Sequence, residues 1–244
     1  MPRAPRKMRL TADHVARLQA AIADPGPQLI EGFRVATDAD WEQNVSEMLA
    51  TRPPGPFWIF GISSLIWKPE NAFVEKRFAI AHGWHRRFCL GWDYRFRGSR
   101  ETPGLMMALD RGGQCKGMAY RLPEETLKPE LDKLIRREMS MVPSAFPARW
   151  ISVATADGPL TALTFAMNRK SGRYVADLDD NALAEMLSTA CGFRGSMAEY
   201  LFSTVSQLEQ LGIHDRHLWR MQELVAERIE RRFGFQSAEA AAEA

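Results

Sequence analysis

The sequence predicts an α+β fold in which strands come first and helices late. Three observations carry this. From Phe57 onward the apolar residues fall in short runs punctuated by glycine, as strands do. One amphipathic helical segment, 123–139, interrupts those runs. From 179 the apolar spacing turns helical. Strands and helices segregated in this way, without alternating βαβ units, define the α+β class.

Taken in order, 11–24 carries Val15, Leu18 and Ala21-Ile22 at helical spacing, and 38–50 forms a second helix capped by Thr37 or Asp38. "RPPGP" (52–56) then breaks the chain, because successive prolines cannot continue a helix. The expected organisation is an N-terminal helical extension (1–55), a core domain (56–235) and a flexible tail (236–244) ending in "SAEAAAEA". Within the core, "FWIFG", "FAIAHGWHRRFCLGW", "GLMMALD" and "CKGMAYRL" read as strands, with Gly112-Gly113 as a hairpin turn. "PEETLKPELDKLIRREM" opens on Pro123 and two glutamates, a favoured helix start. Strands over "RWISVATAD" and "LTALTFAMN" meet at Gly158-Pro159, and helices over 179–190, 197–211 and 215–233 follow.

Bulk properties narrow the function classes. A chain of 244 residues can fill a core, and 45% apolar with 25% charged residues is ordinary for a globular protein. A net charge of +2 gives no ground for a nucleic-acid partner. The basic start "MPRAPRKMRL" lacks the apolar region of a secretory signal, and no apolar run approaches the roughly 20 residues of a membrane span. Cys89, Cys115 and Cys191 are widely spaced, as free thiols are in a reduced, cytoplasmic protein.

One side chain sits where apolar residues are expected. In 124–139 the apolar positions are Leu127, Leu131, Leu134, Ile135 and Met139. Glu138, seven residues after Leu131 and eleven after Leu127, points along that stripe, while Arg136 and Arg137 point away. A carboxylate on a buried face is costly unless paired, and burial raises its pKa toward that of a general base working near neutrality. Set against this, Glu138 lies at the helix end, where the stripe leaves the core, and it could equally partner an arginine.

Other motifs carry less. Gly61-Ile62-Ser63-Ser64-Leu65 lacks the second glycine of a nucleophile elbow. His82 and His85, three apart on a strand, face opposite sides, and no acidic or cysteine cluster accompanies them or His214 and His217, which argues against zinc. In "HRRFCLGWDYRFRGSR" five arginines interleave with aromatics. A base-stacking face has that pattern, and so does a strand with one aromatic face buried.

"IFGISSLIWKP" (59–69), "GWHRRFCL" (83–90), "RGSRETPG" (97–104), "GMAYRLPEETL" (117–127), "LIRREM" (134–139) and "EYLFSTV" with "LGIHD" (199–215) together resemble the ChaC-type gamma-glutamylcyclotransferases. The resemblance runs in order over about 57–220. It implies a small barrel-like mixed sheet with packed helices, and an enzyme that cleaves a gamma-glutamyl amide, typically glutathione, to 5-oxoproline without metal or cofactor. It implies Glu138 as the catalytic acid/base. Gly61, Ile62, Ser63, Ser64 and Leu65 would form the loop gripping the gamma-glutamyl group, with Arg97 and Tyr200 as further substrate-binding residues. The partner implied is a small molecule, with neither nucleic acid nor membrane. The chain departs from the family pattern at Ile62, Ser63 and Met197, where tyrosine, glycine and asparagine are expected. Two alternatives follow from those departures: the same chemistry on another gamma-glutamyl compound, or a non-catalytic binding relative. Retention of Glu138 argues against the second.

Overall fold

A computed structural model describes residues 7–235. The chain forms two compact units, each assembled from separated stretches. One comprises Pro27–Gly91 and Met106–Val175; the other gathers the chain up to Gly26, Trp92–Leu105 and the chain from Ala176 onward.

The first unit is built on a closed five-stranded barrel. Its strands are β2 (Trp58–Gly61), β3 (Glu75–Asp93), β4 (Gly104–Arg121), β6 (Ala148–Thr155) and β7 (Gly158–Phe165), in the order β2-β4-β3-β6-β7. β7 closes on β2 in parallel, while β2–β4, β3–β6 and β6–β7 are antiparallel. The core mixes small and large side chains, Ala79, Ala81, Ala119, Ala162 and Ala166 among Trp58, Phe60, Ile62, Leu109, Ile151 and Val153. A narrow barrel requires that mixture, since its interior is filled by side chains alone. β2 is buried along its whole length, which is why "FWIFG" shows no polar alternation.

Two short strands, β1 (Arg34–Val35) and β5 (Met141–Val142), pair beside the barrel, and α3 (Ser64–Trp67) is a single turn following β2. α2 (Asp38–Ala50) packs against α4 (Leu127–Glu138). Trp41 Nε1 donates to the Met139 carbonyl at 2.8 Å, and Arg136 pairs with Asp38 at 2.7 Å. α4 stacks Leu131, Leu134 and Ile135 in full burial, the amphipathic stripe its sequence predicts.

The second unit is helical. α1 (Ala12–Leu18) packs on α6 (Met197–Gln210) and α7 (Arg216–Phe233), and α5 (Asp180–Leu187) packs on the same pair. His14 is fully buried, 3.1 Å from Glu230, and the Leu10 amide donates to Gln222 at 2.8 Å. A two-stranded turn, β8 (Cys191–Gly192) with β9 (Gly195–Ser196), leads into α6.

Two expectations change. Gly112-Gly113 is no hairpin turn: β4 passes through both, at φ +106° and +66°. Glycine alone adopts such angles freely, so the pair bends one strand instead of ending it. α1 stops at Leu18 because the residues beyond it are exposed, and a short helix persists only where packing supports it. Within residues 1–55, α1 groups with the helical unit and α2 with the barrel unit. The tail from 236 lies outside the described residues. No helix among the described residues is long and apolar enough to cross a membrane.

Asp110, fully buried on β4, fastens the segment after β7 to the barrel. It accepts from Arg169 Nε at 2.6 Å, the Tyr174 hydroxyl at 2.8 Å and the Arg111 amide at 2.8 Å, with Arg87 at 3.6 Å. Burial alone would raise its pKa, but the bonds from Arg169 and Tyr174 outweigh it and hold the carboxyl below its usual value. Asp110→Asn is expected to destabilise the protein by about 1–3 kcal/mol in urea unfolding at neutral pH, Arg169 being half-exposed. Because the folded pKa is lowered, the wild-type advantage is present above the unfolded value of about 3.9 and disappears as pH falls through the folded one.

Candidate active site

β2 delivers Gly61 to the barrel rim, where the chain turns at Ile62-Ser63 into the single turn of α3. The Ser63 carbonyl accepts from the Ile66 amide at 2.7 Å, and the Ser64 carbonyl from the Lys68 amide at 2.8 Å. This folds the loop back over Gly61, so that a Cβ there would lie 3.0 Å from Leu65 Cβ. Arg86 on β3, 7% exposed, fixes the loop from below. Its Nε donates to the Ile62 carbonyl at 2.5 Å and its Nη2 to the Lys116 carbonyl at 2.7 Å.

Neither substituted residue in this loop has a positive φ. The Ile62 side chain is 8% exposed and belongs to the barrel core. Ser63 has φ −146°, so the position does not demand glycine for a left-handed conformation.

Glu138 is the last residue of α4, its side chain 16% exposed. Burial pushes its carboxyl pKa up; Arg137 opposes that, and Glu70 adds to it. A carboxylate at a helix C-terminus also faces the negative end of the helix dipole. Arg137 does not point away. Its Nε lies 3.1 Å from Glu138 Oε1, its Nη2 donates to Ser64 Oγ at 3.1 Å, and its Nη1 donates to the Lys68 carbonyl at 2.8 Å. One guanidinium therefore brings Glu138 and the Gly61–Leu65 loop together. Arg137 and Arg86 are the residues that sequence reasoning missed; both lie inside the quoted motifs, in "LIRREM" and "GWHRRFCL".

Arg97 and Tyr200 lie in the helical unit. Arg97 is 8% exposed, its amide donating to Asp93 at 2.6 Å and its Nη1 pairing with Glu199. Its guanidinium carbon sits 5.8 Å from the centre of the buried Tyr200 ring. Ser196 caps α6 by accepting from the Glu199 amide at 3.1 Å, and Met197, the first residue of the helix, is fully buried. Among the described residues no group of three or more His, Cys, Asp or Glu could hold a metal ion. Cys89 is buried, with its thiol pushed up to about 12 by burial and by Asp110. A thiol so hard to ionise is no nucleophile.

A sequence model of one family, described as ChaC-like protein, matches residues 57–228. The chain belongs to the ChaC-like family. The match spans the barrel, the Gly61–Leu65 loop, α4 and most of the helical unit. Among its relatives is the glutathione-specific gamma-glutamylcyclotransferase of Escherichia coli K12, 40% identical over 174 residues, covering 70% of this chain and 74% of that protein. The mouse glutathione-specific gamma-glutamylcyclotransferase 1 is 32% identical over 172 residues, covering 68% of this chain and 76% of the relative. In fold, the ChaC-like chain matches a crystal structure of the yeast gamma-glutamyl cyclotransferase specific to glutathione with a TM-score of 0.64 at 20% identity, over 70% of this chain and 96% of that one. At that identity the likeness speaks for the fold, which is the mixed α+β barrel described above.

Proposed function

We propose that this ChaC-like protein is a gamma-glutamylcyclotransferase that cleaves glutathione by intramolecular cyclisation. The observation that carries the reading is Glu138, a mostly buried carboxyl whose pKa burial pushes up, tied through Arg137 to the Gly61–Leu65 loop. In the proposed reaction the substrate's alpha-amine nitrogen attacks its own gamma-carbonyl carbon. That C–N bond forms, the bond to the cysteinyl nitrogen breaks, and 5-oxoproline and cysteinylglycine leave. Glu138 takes the proton from the attacking amine and gives it to the departing one, so no water is consumed. The nucleophile is tethered, and well-oriented intramolecular reactions reach effective molarities of about 10⁵–10⁸ M. The protein's task is then conformational, holding the glutamyl group folded for ring closure.

In this reading the amides of Gly61–Leu65 bind the gamma-glutamyl group or its developing oxyanion. Arg97 and Tyr200 contribute to substrate binding, a role proposed from their motif positions. As written the chemistry draws on no metal or cofactor, and the substrate is a small molecule of the cytoplasm. The departures at Ile62, Ser63 and Met197 favour a second reading, the same cyclisation on a different gamma-glutamyl compound. Incubating the purified protein with glutathione and measuring both products decides between them. Equimolar 5-oxoproline and cysteinylglycine are expected. A folded protein releasing neither from glutathione, but 5-oxoproline from another gamma-glutamyl amide, would favour the second reading.

A further inference from the structure

Three side chains on one face of α4, Glu130, Lys133 and Arg137, are spaced to lie above one another. All three hold the segment that runs from α3 toward β3. Glu130 accepts from the Ala72 amide at 3.0 Å, and its carbonyl accepts from Asn71 Nδ2 at 2.7 Å. Lys133 Nζ donates to the Glu70 carbonyl at 2.6 Å. Arg137 completes the row at the Lys68 carbonyl and differs from the other two in reaching both Ser64 and Glu138. Every nitrogen of its guanidinium is engaged, and its side chain is 17% exposed. A planar fork can hold three partners at fixed angles; a lysine ammonium cannot.

We infer that Arg137 is a positioning residue, whose guanidinium locks the Glu138 carboxylate and the Ser64 end of the Gly61–Leu65 loop into one arrangement. The inference rests on the function proposed above, in which Glu138 moves the proton and the loop holds the reacting group. Fixing the two against each other sets the distance over which that proton travels. The charged groups acting on Glu138 are Arg137, on its own helix, and Glu70, from the fastened segment. Arg137 favours the carboxylate and Glu70 disfavours it. Without the guanidinium, burial and Glu70 act unopposed, and Glu138 holds its proton to higher pH.

The test compares wild type, Arg137→Gln and Arg137→Lys. The Glu138 carboxyl is titrated by carbon-13 NMR, its signal assigned with Glu138→Gln, and kcat/KM for glutathione is followed against pH. In Arg137→Gln the Glu138 titration is expected to move up by about half a unit or more, with kcat/KM at neutral pH falling about tenfold or more. Arg137→Lys should return the titration toward wild type but recover only part of the rate. An unchanged Glu138 titration in Arg137→Gln would overturn the inference, as would full wild-type rate in Arg137→Lys. If Arg137→Gln does not fold, judged by circular dichroism, the rate of the lysine variant decides. A wild-type protein that releases no 5-oxoproline would reject the proposed function alone, since the NMR titration still reads the hold of Arg137 on Glu138.

Discussion

Glu138→Gln is expected to lower 5-oxoproline release from glutathione by about 10²–10⁴-fold while leaving the end of α4 in place. Glutamine keeps the shape and still offers an oxygen to Arg137 Nε, but it cannot take a proton from the attacking amine. The wild-type rate should itself depend on pH. The carboxyl pKa is raised by burial, so the base form is populated only above a value higher than the usual glutamate figure of about 4.3. Release should rise with pH through that value and then level off. Stability runs the opposite way. A raised folded pKa means that the folded state binds this proton more tightly than the unfolded chain does. The carboxyl's favourable contribution is therefore complete below about pH 4.3 and fades as pH climbs through the folded pKa. Glutamine carries no such proton, so the variant should gain stability relative to wild type between acidic and neutral pH. Product assays and urea unfolding over the same pH range check both slopes. Comparable release from variant and wild type would remove Glu138 from the proton path.

The sequence makes Glu138 visible because a single charged residue on an apolar stripe is a local anomaly, readable from spacing alone. Arg137 escapes the same reading for a geometric reason. A helical wheel assigns each side chain a direction at its Cα, which works for leucine and fails for a long, flexible arginine at a helix end. The backbone leaves helical geometry at Met139, with φ −115° and ψ 66°, so angles extrapolated from the preceding turns lose their meaning there. The Gly112-Gly113 signal misleads for a comparable reason. A glycine pair between apolar runs is the usual hairpin signal, yet closing a five-stranded barrel needs long strands that bend, and glycines in the middle of β4 provide the bend. Similarly, the proline break at 52–56 marks where a helix ends but carries no information about which surfaces then meet. By contrast, the order of the longer strands and helices is legible, since most rest on a period of two or of 3.6 within one segment and β2 on a short, wholly apolar run.

Gly117→Ala is the second large expected effect, and it tests the binding loop from outside the loop. Gly117 lies on β4 against the end of β2, where Gly61 pairs with Met118. A Cβ at Gly117 would come 2.4 Å from the Gly61 carbonyl oxygen and 2.9 Å from the Phe60 ring. The ring packs in the barrel core, and the carbonyl belongs to the residue that starts the loop. Neither can step aside without moving the end of β2. The substitution should destabilise the protein by about 1–3 kcal/mol, the usual range for overpacking a filled interior. It should also raise KM for glutathione, because shifting Gly61 displaces the amides proposed to hold the gamma-glutamyl group. Gly172→Ala supplies the control: that glycine is exposed, and a Cβ there meets nothing within 4 Å. Its stability should stay within about 1 kcal/mol of wild type, with KM unchanged. Urea unfolding and steady-state kinetics on the two variants separate the possibilities. Lost stability with unchanged KM would mean that the gamma-glutamyl group is held elsewhere, whereas a raised KM in Gly117→Ala alone ties substrate binding to the position of one carbonyl at the rim of the barrel.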